Sequence, residues 1–231
     1  MTNRPHGTIR PVAQSGTWFK PAVPPSSPLD QDHSASNRIR TFVAVDLPQP
    51  LRIRLGEEIE RLARLVGRDV VRWVRPSGIH LTLKFLGDVD PGRPDELVAA
   101  IRSAAVGRGP FSVDVGGVGC FPGPHRPRVV WMGIEEPSGV LARIQSDLEA
   151  ALGPLGFPPE DRKFSPHLTL GRVRREARPV EAAKVGSILV GSPKVSMGEI
   201  EVREITLFRS QLKPGGAVYT PLGVVGLEAG R

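Results

Sequence analysis

Residues 80–87 read HLTLKFLG and residues 167–173 read HLTLGRV, so the tetrapeptide HLTL occurs twice in a chain with five histidines. Each copy alternates apolar with polar side chains, the pattern of a strand with one buried face. On such a strand His80 and Thr82 point to one side, and Ile79, Leu81, Leu83 and Phe85 point to the other. His167 and Thr169 stand opposite Leu168 and Leu170 in the same way. Lys84 shares the parity of His80 and Thr82. Arg172 has the parity of the core and reaches the polar face only if the strand ends or bulges at Gly171.

The flanking sequence repeats as well. RTFVAVDL (40–47) is a β-branched run, followed by a helical stripe of Leu51, Leu55, Ile59, Leu62 and Val66. RVVWMGI (128–134) precedes a second stripe, Val140, Leu141, Ile144, Leu148 and Leu152, with Ser138 as the expected N-cap and Gly153 as the stop. Arg40 to Arg128 is 88 residues and His80 to His167 is 87; RPDEL (93–97) matches RPVEA (178–182) at 85. FSVDVGGVGCF (111–121) falls on GEIEVREITLF (198–208) at 87. Four matches in one order at nearly one offset predict an internal duplication, with lobes near 40–127 and 128–225.

Around this core the composition sets limits. The chain has 231 residues, 39% of them hydrophobic, enough for a sizeable core. No apolar run is long enough to cross a membrane, the N-terminus lacks a secretory h-region, and a cytoplasmic location is expected. The single cysteine, Cys120, excludes an intramolecular disulfide and a cysteine-rich metal site. It aligns with Leu207 in the repeat and reads as a core residue. The net charge of +7 favours a polyanionic partner. Residues 1–37 hold 6 of the 24 prolines without sustained periodicity and read as a disordered tail. His125, in FPGPHRPR, reads as a loop residue.

Two copies of one unit related by a pseudo-twofold axis would bring the two His-Thr pairs to one cleft. One imidazole can then take a proton from a nucleophile while the other gives one to a leaving group, both near neutral pH. The two hydroxyls can hold an oxyanion between them. Zinc is the other use of paired histidines, but the chain has no HxH, HExxH or CxxC, and threonine is a poor third ligand.

The duplicated HxTx motifs, with RTFVAVDLP before the first, KFLGDV after it, PRVVWMGI between the lobes and LKPGGAVYTPL at the end, resemble the two-histidine (2H) phosphoesterases. More narrowly, they resemble the RNA 2′,3′-cyclic phosphodiesterases, also called the 2′-5′ RNA ligase family. The resemblance covers residues 38–227. It implies an α+β, bilobal fold of duplicated lobes, each an antiparallel sheet backed by helices, with the active-site cleft between them. It also implies metal-independent hydrolysis of RNA 2′,3′-cyclic phosphate ends to 2′-phosphomonoesters, without a cofactor. Carried over, His80 is the proton donor and His167 the proton acceptor. Thr82 and Thr169 bind the phosphate oxygens, and Arg172 lies against the nucleoside. Lys84 either extends the phosphate-binding face or is a solvated lysine at a strand end. Expected partners are RNA with a cyclic end, tRNA fragments among them, or cyclic nucleotides, and a monomer suffices. The rival readings are a nucleotide-binding module without turnover and a ligase using the same cleft.

Overall fold

The β-branched run around TFVAV forms β1 (Ile39–Val45), and the prolines after it, Pro48 and Pro50, open the first helix. The computed structural model describes residues 38–67, 69–214 and 216–229; the expected tail lies outside them. After β1 come α1 (Gln49–Val66), β2 (Val71–Trp73), β3 (Leu81–Val89), α2 (Pro94–Ala105) and β4 (Phe111–Phe121). The chain continues through β5 (Val129–Glu135), α3 (Val140–Leu152), β6 (His167–Val173), α4 (Pro179–Val190), β7 (Ser196–Val202), β8 (Glu204–Lys213) and β9 (Gly216–Gly226). Proline stands in the first turn of α1, α2 and α4, where its fixed φ suits the helix and no N–H is missed. The N-cap of α3 is Gly139 rather than Ser138, and the Glu136 carboxylate accepts from the Leu141 N–H at 3.0 Å. Among the described residues no helix is long and apolar enough to cross a membrane.

All strands join one curled sheet in the order β7-β4-β5-β6-β3-β1-β8-β9, with β2 added alongside β6. Every pairing is antiparallel. At its centre β3 and β6 share a single rung, Leu81 opposite Leu168. These two residues are 87 apart, so each is the other's repeat equivalent, and an antiparallel rung between equivalents puts a local twofold axis through it.

The lobes are not the sequence repeats. One lobe holds β1, β3, β8 and β9, and the other holds β4, β5, β6 and β7. The last strand of the first repeat, β4, therefore crosses to lie between β5 and β7, and the last two strands of the second, β8 and β9, cross to the side of β1. The 111–121 and 198–208 match is also split: Phe121 and Phe208 occupy equivalent places opposite Val129 and Phe42, but Phe111–Val115 pairs with Gly198–Val202 as a neighbouring strand. The chain turns at Arg203 from one lobe into the other. Helices cover the outer face: α2 lies on β8 and β9 and against α3, and α4 lies on β4. The apolar stripes of α1 and α3 are buried there, Leu51, Leu55, Leu62, Leu148 and Leu152 among them. Cys120 packs partly buried against this core, where burial pushes its thiol pKa up; His125 is exposed in a loop.

Candidate active site

The face of β3 and β6 turned away from the helices carries the HLTL polar residues. Leu81 and Leu168 are buried on the helix side, and His80, Thr82, His167 and Thr169 are half-buried on the other. Because the strands run antiparallel through the Leu81–Leu168 rung, the register sets each histidine across from the other copy's threonine. The four side chains flank the local twofold axis on one surface.

Each imidazole is anchored in the same way. His80 Nδ1 lies 3.1 Å from the Gly78 carbonyl, and His167 Nδ1 lies 2.7 Å from the Ser165 carbonyl. A carbonyl can only accept, so in each ring Nδ1 carries the hydrogen and, in the neutral ring, Nε2 keeps its lone pair. No third histidine, cysteine or carboxylate among the described residues converges with them as a metal cluster would.

Beyond this the two surroundings differ. His80 stacks on Phe42 at 4.5 Å between ring centroids and meets the edge of Tyr219 at 5.0 Å, with Phe208 at 6.5 Å. Burial among these rings pushes its pKa down to about 4, against a lesser upward pull from the Gly78 carbonyl and Asp46. Among the described residues His167 has one aromatic neighbour, Phe121, edge-on at 5.0 Å. Beside it opens a groove of about 440 Å³ that reaches Trp131, Gly117, Ser192 and Lys194. Trp131 aligns with Ala44 at the 87-residue offset, and its ring lies over Gly119, where an added Cβ would come within 2.3 Å of the indole.

Two bulges, 87 residues apart, re-aim the side chains that come after the HLTL copies. Leu83 is left between the partners of Val43 and Ala44, and Leu170 between the partners of Val130 and Trp131. Each bulge shifts the alternation by one residue, so the next two side chains exchange faces.

A model of the family described as LigT-like phosphoesterase matches residues 45–131 and, a second time, 133–219. The chain belongs to this family. A protein of Methanothermobacter thermautotrophicus named RNA 2′,3′-cyclic phosphodiesterase is 35% identical over 187 residues, which is 81% of this chain and 98% of that protein. A protein of the same name from Archaeoglobus fulgidus is 38% identical over 188 residues, 80% and 99% of the two chains. A crystal structure from Thermus thermophilus superposes with a TM-score of 0.69 at 30% identity, covering 84% of this chain and 100% of that one. E. coli LigT crystallised with 3′-AMP gives 0.66 at 26% identity, over 83% and 99%. The α+β, two-lobe architecture expected from the resemblance is the one these relatives share.

In this LigT-like phosphoesterase the bulges correct two expectations, for Lys84 and Phe85, and the second bulge, at Leu170 rather than Gly171, re-aims Arg172. Lys84 is not on the face of His80 and Thr82. It is buried on the helix side, where its ammonium pairs with Glu149 of α3 and donates to the Pro158 carbonyl at 2.9 Å. It is neither a phosphate ligand nor solvated. Phe85, expected in the core, turns outward instead, 58% exposed and 6.4 Å from Phe42. Arg172 is carried by the second bulge onto the face of Thr169, exposed and close enough to act electrostatically on Tyr219. Burial raises the Tyr219 phenol pKa and Arg172 partly offsets that rise. Strict alternation marks neither Phe85 nor Tyr219. The signal for Phe85 is its place five residues after His80, as Arg172 stands five after His167.

Proposed function

We propose that this chain is an RNA 2′,3′-cyclic 3′-phosphodiesterase: it hydrolyses the cyclic phosphate at an RNA end to a 2′-phosphomonoester by two-histidine acid-base catalysis, in the cytoplasm. The observation that carries this reading is the matched anchoring of His80 and His167, each bound through Nδ1 to the carbonyl two residues before it on one face of a local twofold. Two Nε2 atoms are thereby left for a substrate between them.

A cyclic phosphate seated there has water on one side of phosphorus and O3′ on the other. His167 takes the water's proton as the P–O bond forms, and His80 gives one to O3′ as the P–O3′ bond breaks. Thr82 and Thr169 donate hydrogen bonds to the non-bridging oxygens, whose charge grows in the transition state. The low pKa of His80 leaves it neutral in the ligand-free protein at pH 7. The negative phosphate favours protonation of the ring it touches, so substrate binding itself loads His80 with the proton it donates. The donor and acceptor roles follow the family resemblance; the aromatic burial of His80 supports a ring that holds a proton only when an anion is beside it. Phe85 and Arg172 offer a flat apolar surface and a guanidinium for the terminal nucleoside.

The test is to incubate the protein with 2′,3′-cyclic AMP and identify the product isomer, with and without excess EDTA. Adenosine 2′-phosphate formed equally under both conditions is expected. The 3′-isomer would reverse the bond assignment, and loss of activity restored by a divalent ion would overturn the two-histidine mechanism. Binding without product would leave a nucleotide-binding module.

A further inference from the structure

Strand β2 stands outside the duplication. Its three residues pair only with β6, and no described strand stands in the corresponding place before β6 in the second repeat. Its one consequence for the reactive face is Arg72, which lies directly opposite Arg172. The neighbouring positions turn toward the helices: Val71 and Val173 are buried, and a Cβ on Gly171 would lie 2.7 Å from Val71 Cγ1 and 3.0 Å from the Trp73 ring. Arg72 and Arg172 therefore share the face that carries Thr169, and both are exposed.

Residues directly opposed on antiparallel strands have Cβ atoms about 4.5–5.5 Å apart, and like charges so placed repel. Neither guanidinium forms an ion pair with a described residue, although arginines elsewhere in the protein are paired to Asp46, Glu58, Glu96, Asp147, Glu181 and Glu201. Two adjacent cations without a counter-ion, on a surface that leads from the histidines, are suited to an anion shared between them. With one residue bulged, Arg172 is about 7 Å along β6 from Thr169. An anion held there is distinct from one held by Thr82 and Thr169.

We propose that Arg72 and Arg172 together bind the phosphodiester next to the terminal nucleotide of an RNA chain, so that the enzyme selects RNA ends over free cyclic mononucleotides. The inference rests on the catalytic reading above and adds a specificity-determining residue, Arg72, with its ligand class. Arg172 serves both the nucleoside and this phosphate; Arg72 serves the phosphate alone.

The experiment compares kcat/KM for a short oligoribonucleotide ending in a 2′,3′-cyclic phosphate with that for 2′,3′-cyclic AMP, across a range of salt. In Arg72→Ala the ratio of the two values falls about tenfold, as for the loss of one charged hydrogen bond. It falls further in Arg72→Glu and recovers in part in Arg72→Lys. The log-log salt dependence for the oligonucleotide becomes shallower by roughly 0.7, the share of one phosphate contact on a single strand. Without ligand, Arg72→Ala melts at or above the wild-type temperature, because a repulsion has been removed. An unchanged ratio, or equal losses on both substrates, overturns the proposal. If the wild type turns over neither substrate, the catalytic reading fails separately; the pair is then judged by titration with an oligonucleotide ending in a 3′-phosphate, where undiminished binding by Arg72→Ala overturns it.

Discussion

His80 and His167 have the same sequence neighbours and the same Nδ1 anchor, yet one is enclosed and the other stands beside an open groove. The difference comes from two exchanges between the copies. Where the first lobe has Ala44 beside Thr206, the second has Trp131 beside Gly119; where the first has Phe42, the second has Val129. Tyr219, from the C-terminal strand β9, then completes the ring of aromatics around His80. Local twofold symmetry supplies a pair of equivalent imidazoles, and the side chains one layer out make them unequal. Unequal imidazoles are what a reaction with one proton donor and one acceptor requires.

The largest expected effects remove one member of the pair. His80→Ala and His167→Ala should each lower kcat by at least about two orders of magnitude, the typical contribution of a positioned acid or base. The double variant should be much less impaired than the product of the two losses, because the two groups act in one step. Near wild-type turnover by either single variant would mean the two rings are not a catalytic pair.

Next in size is the hydroxyl pair. Thr82→Ala and Thr169→Ala should each cost roughly tenfold to 150-fold in kcat/KM, the range for a hydrogen bond to a charged oxygen. Steady-state kinetics on both variants checks this, and no loss in either would remove the hydroxyls from the phosphate site.

A third prediction uses the face opposite His80. Lys84→Ala leaves Glu149 in a largely buried place without its cation, so the protein should lose on the order of 3 kcal/mol of stability. Lys84→Met with Glu149→Gln should lose less. Denaturant melts give the stability, and KM of the folded variants should stay within about threefold of wild type, far below what removal of a phosphate contact costs. A large rise in KM with little loss of stability would return Lys84 to the phosphate face.

The smallest and most discriminating signal is in pH. His80 in the folded protein has a pKa lowered from 6.5 to about 4, so as pH falls the unfolded chain takes up this proton first. Its neutral form supports stability fully above pH 6.5; that support is lost as pH drops toward 4 and changes no further below it. His80→Gln should flatten this part of the stability curve, measured by thermal melts. In the activity profile, kcat/KM reports the free protein and kcat the bound one. With His80 as donor, the alkaline limb of kcat lies at higher pH than that of kcat/KM. With His80 as acceptor, an acid limb near pH 4 appears in kcat/KM instead.

The repeat of HLTL, the two strand-helix units and the parity of His80, Thr82, His167 and Thr169 were legible because each is a local pattern. Lys84 and Phe85 were not: alternation assigns faces only while the ladder is regular, and nothing within LTLKF marks Leu83 as the unpaired residue. Gly171 pointed to the second bulge to within one residue: the unpaired residue is Leu170, and the glycine sits where a Cβ would meet Val71 and Trp73. The enclosure of His80 was out of reach for a different reason. Phe42, Phe208 and Tyr219 come from three strands spread over almost the whole chain, and only the sheet order brings them together.

The crossing of the last strands has a further meaning. A lone first repeat would leave β4 without β5 and β7, and β1 without β8, exposing strand edges and half of the core. Neither repeat can therefore hold its half of the histidine pair as a closed sheet by itself, and a chain cut between β4 and β5 should regain its fold only when both halves are present together.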